Sequence, residues 1–217
     1  MRAALTLRFL VTIAGTTGLL FSGRAVADPQ SERPSFSLGD SWSYSVTDYP
    51  ITQFSAGESY KYTLNLSAIN KTFYLVSRTK IVPDGPPSNM NMRWSLDGNR
   101  LARAPGGDGF QEFRAFQWPL IEGAKWSFRF PTNEDTEATW EVNVGGWETI
   151  DVAAGRFRAI RVDATYAAFS FQFAVRSTIT FWYSPEVKRY VRTEEFGYAR
   201  TTMYRHRVEE LTSYKLI

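Results

Sequence analysis

The sequence predicts an all-β fold. The expected form is a single antiparallel curved sheet, half-barrel or sandwich of about ten strands, behind a cleavable N-terminal signal helix. Three observations carry this. Apolar residues recur at every second position through most of the chain, which is the strand period. The chain holds 16 Phe, 11 Tyr and 7 Trp, an enrichment that suits a pleated, half-buried surface. After the N-terminal run, no stretch keeps a helical period for more than a few residues; Ala153-Ala154 and Glu209-Glu210-Leu211 are too short.

The strands are read in order. Trp42, Tyr44 and Val46 alternate with Ser43, Ser45 and Thr47. Tyr60, Tyr62, Leu64 and Leu66 alternate with Lys61, Thr63, Asn65 and Ser67, and Asn70-Lys71 turns the chain into a run through Phe73, Leu75 and Ile81. Met92, Trp94 and Leu96 lead into the turn Asp97-Gly98-Asn99. Trp126, Phe128 and Phe130 form a short strand, expected to end at Pro131. Ala138, Trp140, Val142 and Val144 form a longer one, expected to end at Gly145-Gly146. Ile150 and Val152 precede Ala153-Ala154-Gly155, where the chain reverses into a strand from Phe157 through Val162. Phe169, Phe171, Phe173 and Val175 share one parity, and Ile179, Phe181 and Tyr183 continue to Ser184-Pro185-Glu186. Val187 to Phe196 follows, then Gly197 as a break, then a last strand from Ala199 to about Leu211. Short turns imply antiparallel neighbours. Two longer loops, Pro83 to Asn89 and Ala104 to Phe110, are rich in Pro and Gly. They are plain connections or the rim of a binding mouth.

The first 27 residues read as a secretory signal peptide. Arg2 and Arg8 give a positive start, Phe9 to Phe21 is apolar, and Ala25-Val26-Ala27 offers a small-residue cleavage site before Asp28. The apolar run has 13 residues, against about 20 for a spanning helix. The expected product is a periplasmic or secreted protein cut at Ala27/Asp28, not membrane-spanning after cleavage. Residues 28–35, with Pro29 and Pro34, read as a flexible lead-in, and 36–217 as a single β domain.

The signal also changes the charge. The whole chain has 25 Lys+Arg and 22 Asp+Glu. Arg2, Arg8 and Arg24 leave with the signal, so the mature chain balances 22 bases with 22 acids. Nucleic-acid binding rests on excess Lys and Arg, and no excess remains. With no cysteine, a thiol nucleophile, a disulfide framework and lipid attachment through cysteine are excluded. Core burial must supply the stability, which a chain of this length can manage.

Three stretches stand together: Gly39-Asp40-Ser41-Trp42-Ser43-Tyr44, the run from Trp147 to Val162, and Phe181 to Val191. In this order they resemble exported β proteins of Gram-negative bacteria, domains of unknown function similar in shape to periplasmic lipoprotein carriers. The resemblance implies a long curved antiparallel sheet over most of the mature chain. It implies no catalytic residue.

Candidate sites follow from residue types. The lone histidine, His206, cannot form a zinc site without further His or Cys ligands. A serine hydrolase would need Ser41 beside His206 and an acid, yet Ser41 opens an alternating strand rather than a nucleophile elbow. Asn133-Glu134-Asp135 with Glu137 lacks the spacing of a calcium loop. Glu194-Glu195 and Glu209-Glu210 are adjacent, so in strands each pair points to opposite faces. Arg156, Arg158, Arg161, Arg189 and Arg192 form either a solvated outer face or an anion or headgroup site. The sequence therefore predicts no metal, no cofactor and no catalytic group. It predicts a binding protein whose concave face carries Trp94, Trp140, Phe171 and Phe181 against an apolar or lipid-like ligand. The alternative is an assembly module that docks another envelope protein through strand edges and loops.

Overall fold

The computed structural model describes residues 30–51, 57–103, 109–133, 136–169 and 174–217. The signal segment, most of the second Pro/Gly loop, Glu134-Asp135 and Phe171 lie outside the described residues.

The described chain forms twelve strands: β1 (Ser41–Asp48), β2 (Glu58–Ile69), β3 (Phe73–Ile81), β4 (Ser88–Ser95), β5 (Arg100–Arg103), β6 (Phe110–Phe113), β7 (Lys125–Asn133), β8 (Thr136–Val152), β9 (Gly155–Phe169), β10 (Ala174–Ser184), β11 (Arg189–Ala199) and β12 (Thr202–Lys215). They make one sheet in the order β6-β5-β4-β3-β2-β1-β12-β11-β10-β9-β8-β7. Each pair is antiparallel, and all but β1–β12 join neighbours in sequence. The two ends of the domain thus meet at mid-sheet, through Ser41↔Lys215 to Asp48↔Arg207. The sheet curls until its edges β6 and β7 approach, giving a nearly closed barrel. Phe113 on β6 sets its ring 5.5 Å from Phe128 and 5.9 Å from Phe130 on β7.

The predicted class stands, with two more strands than expected. β5 and β6 are four residues each and flank a Gly-rich loop, too short to show a period. Three expected breaks do not break the strands. Gly145-Gly146 is a bulge inside the 17-residue β8, where the register shifts between Val144 and Trp147. A Cβ at Gly145 would lie 3.3 Å from the Cβ of Arg161, so glycine permits the close crossing. Gly197 sits within β11, where a side chain would collide with the Tyr204 ring. Pro131 continues β7, an edge strand that can lose an N–H donor. The turn at Gly155, φ 138°, and the 3-10 turn at Pro185–Val187 fall where expected; the strand expected to end at Val162 instead runs to Phe169, and the last strand begins at Thr202 after a turn beyond Ala199.

The stretch expected as a flexible lead-in is pinned from Ser31 onward. Ser31 and Leu120 exchange backbone hydrogen bonds of 3.1 and 2.9 Å. Phe36 then inserts between Trp42, Tyr74 and Trp94, with ring centroids 5.3–5.9 Å apart. Aromatic burial on this scale outweighs the two prolines that suggested disorder.

Asp40 ties the ends together. It is fully buried. Its carboxylate accepts from the Ser37 N–H at 2.9 Å, the Ile217 N–H at 2.8 Å and Lys188 Nζ at 3.2 Å. Its backbone carbonyl accepts from the Leu66 N–H at 2.9 Å. Removing the carboxylate strands two backbone donors and a cation.

Two outcomes test this architecture. Asp40→Ala lowers the unfolding free energy by about 3 kcal/mol in urea titration; a loss under about 1 kcal/mol contradicts the tie. Phe113→Ala costs about 2 kcal/mol and speeds amide hydrogen exchange in β5 and β6 more than in β1 or β12.

Candidate functional site

The curled sheet lines a half-open cavity of about 570 Å³, within the range of roughly 300–1,000 Å³ typical of small-molecule sites. Every strand except β1 contributes to its wall, so the cavity is the lumen of the barrel. Eight-stranded barrels are just filled by their own side chains. Twelve strands leave more room than even this aromatic interior fills.

The strand alternation that predicted the fold also builds the wall. Trp94 (β4), Trp140 (β8) and Phe181 (β10) all line the lumen. Trp94 is 2% exposed and Trp140 7%. Phe113 packs edge-on to the Trp140 ring at 4.5 Å, and Tyr166 lies 4.5 Å from the same ring. Phe181 stands between Phe116 and Tyr190, at 5.6 and 5.9 Å. Phe116 comes from the 114–124 segment that links β6 to β7. Asn99 holds it there: its Oδ1 accepts from the Phe116 N–H at 2.9 Å, and its Nδ2 donates to the Phe116 carbonyl at 2.7 Å.

The lumen is not uniformly apolar. Arg78, Arg100, Arg189, Arg207, Glu195 and Glu209 also line it. Arg207 is neutralised by Asp48 through two bonds of 2.7 and 2.8 Å. Glu195 bonds Arg205 at 3.4 Å. Arg189 is different. Its guanidinium lies 4.0 Å over the Trp94 ring and 4.4 Å over that of Tyr190. Its Nη2 donates to the Tyr190 hydroxyl at 2.9 Å, and the Tyr44 hydroxyl is a further neutral partner. Among the described residues no carboxylate bonds it directly. The Tyr190 hydroxyl lies 3.3 Å from that of Tyr62, which donates to Glu209 at 2.7 Å. Two phenols therefore separate the cation from the acid.

Desolvating an isolated charge costs several kcal/mol. Cation–π contacts return about 0.5–2 kcal/mol each, and a charged hydrogen bond about 1.5–3 kcal/mol. The contacts of Arg189, two ring faces and a charged hydrogen bond, match a cost of that size. Desolvation works to lower its pKa, but the Tyr190, Tyr44 and Tyr62 oxygens outweigh it and hold the group above its ordinary value. The Tyr44 and Tyr62 phenols are pushed up, chiefly by burial, so these hydroxyls stay neutral beside it. Two buried donors on the wall, Arg189 Nε and Trp140 Nε1, have no acceptor among the described residues.

The arginine group singled out in the sequence is divided. Arg156 pairs with Asp151 at 2.7 Å, Arg161 with Asp163 at 3.0 Å, and Arg192 with Glu210 at 3.4 Å. Arg158 stacks 4.5 Å over Trp147. Of the five, only Arg189 lines the lumen. It follows the 3-10 turn and Lys188, a left-handed residue at φ 59°, next to a register shift at Trp182/Tyr183. Strict alternation cannot be projected across that irregularity, which hid Arg189 from the sequence reading. Arg78, 4.5 Å over the Tyr62 ring, was hidden because β3 changes from apolar to charged residues partway along.

Ser41 and His206 are not brought together. Ser41 pairs with Lys215, whereas Asp48 at the far end of the eight-residue β1 pairs with Arg207, the neighbour of His206. That separates them by about 23 Å along the strands. His206 is stacked between Tyr49 and Phe196, each at 4.5 Å, with Nε2 2.9 Å from Glu194. The adjacent glutamates take different partners, as the strand geometry requires: Glu209 bonds Tyr62 and Glu210 bonds Arg192.

No family model matches the chain, and no curated protein matches it. Two solved structures are similar. One, from Bacteroides fragilis, is described as an exported protein with a YmcC-like fold. It is 16% identical, with a TM-score of 0.48, over 86% of this chain and 100% of that one. The other, described as a lipoprotein from Parabacteroides distasonis, is 13% identical, with a TM-score of 0.49 and the same coverage.

Proposed function

We propose that this is an exported, non-catalytic protein of the cell envelope that holds an apolar or lipid-like ligand inside its barrel. The observation that carries the reading is the lumen itself: about 570 Å³ of space walled by aromatic side chains from strands all around the sheet. Trp94, Trp140 and Phe181 supply flat apolar surface there. Apolar surface lining a void loses dispersion contacts that a ligand restores. Export is supported by residues 1–27, with their basic start, apolar run and Ala25-Val26-Ala27 site. Among the described residues, no helix is long and apolar enough to cross a membrane.

The mature protein, purified from its own envelope without harsh detergent, carries a bound lipid or other apolar molecule in native mass spectrometry. Ile179→Trp, which places an indole in the lumen, weakens uptake of a neutral fluorescent apolar dye at least tenfold while the protein stays folded by circular dichroism. No dye uptake by the wild type overturns the reading. Enrichment of a specific protein partner in place of any small molecule favours an assembly role instead.

A further inference from the structure

Arg189 deepens this reading and depends on it. We infer that the lumen selects an amphiphile with a single anionic head, a carboxylate or phosphate, and that Arg189 is the group that binds that head. Three observations meet at this residue. It is a fixed cation on the wall of a largely aromatic cavity, and no described carboxylate bonds it directly. All its direct partners are neutral: the Trp94 and Tyr190 rings and the Tyr190 and Tyr44 hydroxyls. The orphaned polar atoms of the wall, Arg189 Nε and Trp140 Nε1, are both donors in need of an acceptor. An anionic oxygen supplies both the missing counter-charge and the missing acceptor, and a guanidinium fork matches a carboxylate or phosphate well.

The geometry also says where the head sits. Glu209 stands behind the Tyr62 hydroxyl and would repel an anion on that side. The favourable position is in the plane of the guanidinium at its Nε edge, since one face already lies 4.0 Å over the Trp94 ring and the other side leads towards Glu209. The apolar tail then runs along the wall that Phe181 and Trp140 provide. Arg78, stacked on Tyr62, adds positive potential to the same lumen and offsets Glu209.

The test compares ligands with the same tail and different heads. N-phenyl-1-naphthylamine, a neutral dye, is loaded into the mature protein. Dodecanoate, dodecyl phosphate, 1-dodecanol and acetate are then titrated as competitors. The inference expects dodecanoate or dodecyl phosphate to compete at least tenfold better than dodecanol, about 1.4 kcal/mol. Acetate does not displace the dye, because the head alone lacks the tail's burial. Arg189→Met brings the acid and the alcohol to within about twofold of each other while dodecanol binding persists. If the dye enters but acid and alcohol compete equally in the wild type, the inference fails and apolar binding stands. An undiminished preference in Arg189→Met likewise overturns it. If the dye does not enter the wild type at all, the lumen-binding reading itself has failed. The wild-type comparison needs no variant, so a misfolded Arg189→Met leaves the question decidable.

Discussion

A twelve-stranded antiparallel sheet twists until its outer strands face each other, and the way those edges are joined determines the rest of this molecule. They are joined by side chains. Phe113 reaches from β6 to Phe128 and Phe130 on β7. The connecting 114–124 segment is bolted across the seam by Asn99 and by two indoles: Trp118 donates to the Asp97 carbonyl and Trp126 to that of Arg114, each at 2.8 Å. Such a seam covers both edges without a full hydrogen-bond ladder. It also leaves the barrel wider than its own side chains can fill. The lumen is a geometric consequence of twelve strands, and its aromatic wall is what makes so wide a barrel stable.

The opposite side of the sheet carries a complementary constraint. β1 and β12 pair at the centre of the strand order, and Asp40 locks the start of β1 to Lys188 and to the Ile217 N–H. Lys188 is the left-handed residue that precedes Arg189. The buried carboxylate therefore sits at the root of the turn that delivers Arg189 into the lumen, which links fold stability to the placement of a cation that no described carboxylate bonds directly.

Much of the sheet was legible in the sequence, because β1, β2 and the first half of β8 keep a period of two in burial. Three of the four aromatics predicted for the concave face line the cavity for the same reason; the fourth, Phe171, lies outside the described residues. What was not legible shares one physical cause: irregular backbone. Bulges at Val144/Trp147 and at Trp182/Tyr183 reset the parity. Glycines that looked like turns are close crossings within strands. The short edge strands β5 and β6 carry too few residues to reveal a period. Arg189 lies beside one of these irregularities, so a sequence-level pattern grouped it with arginines that are paired on the surface.

The account stands or falls on what occupies the lumen. The most direct measurement is anomalous diffraction from crystals of the mature protein grown with 12-bromododecanoic acid. The account predicts a bromine peak inside the barrel, beside Phe181 or Trp140, with carboxylate density against Arg189. A lumen without bromine, or bromine found only on the outer surface, would contradict it.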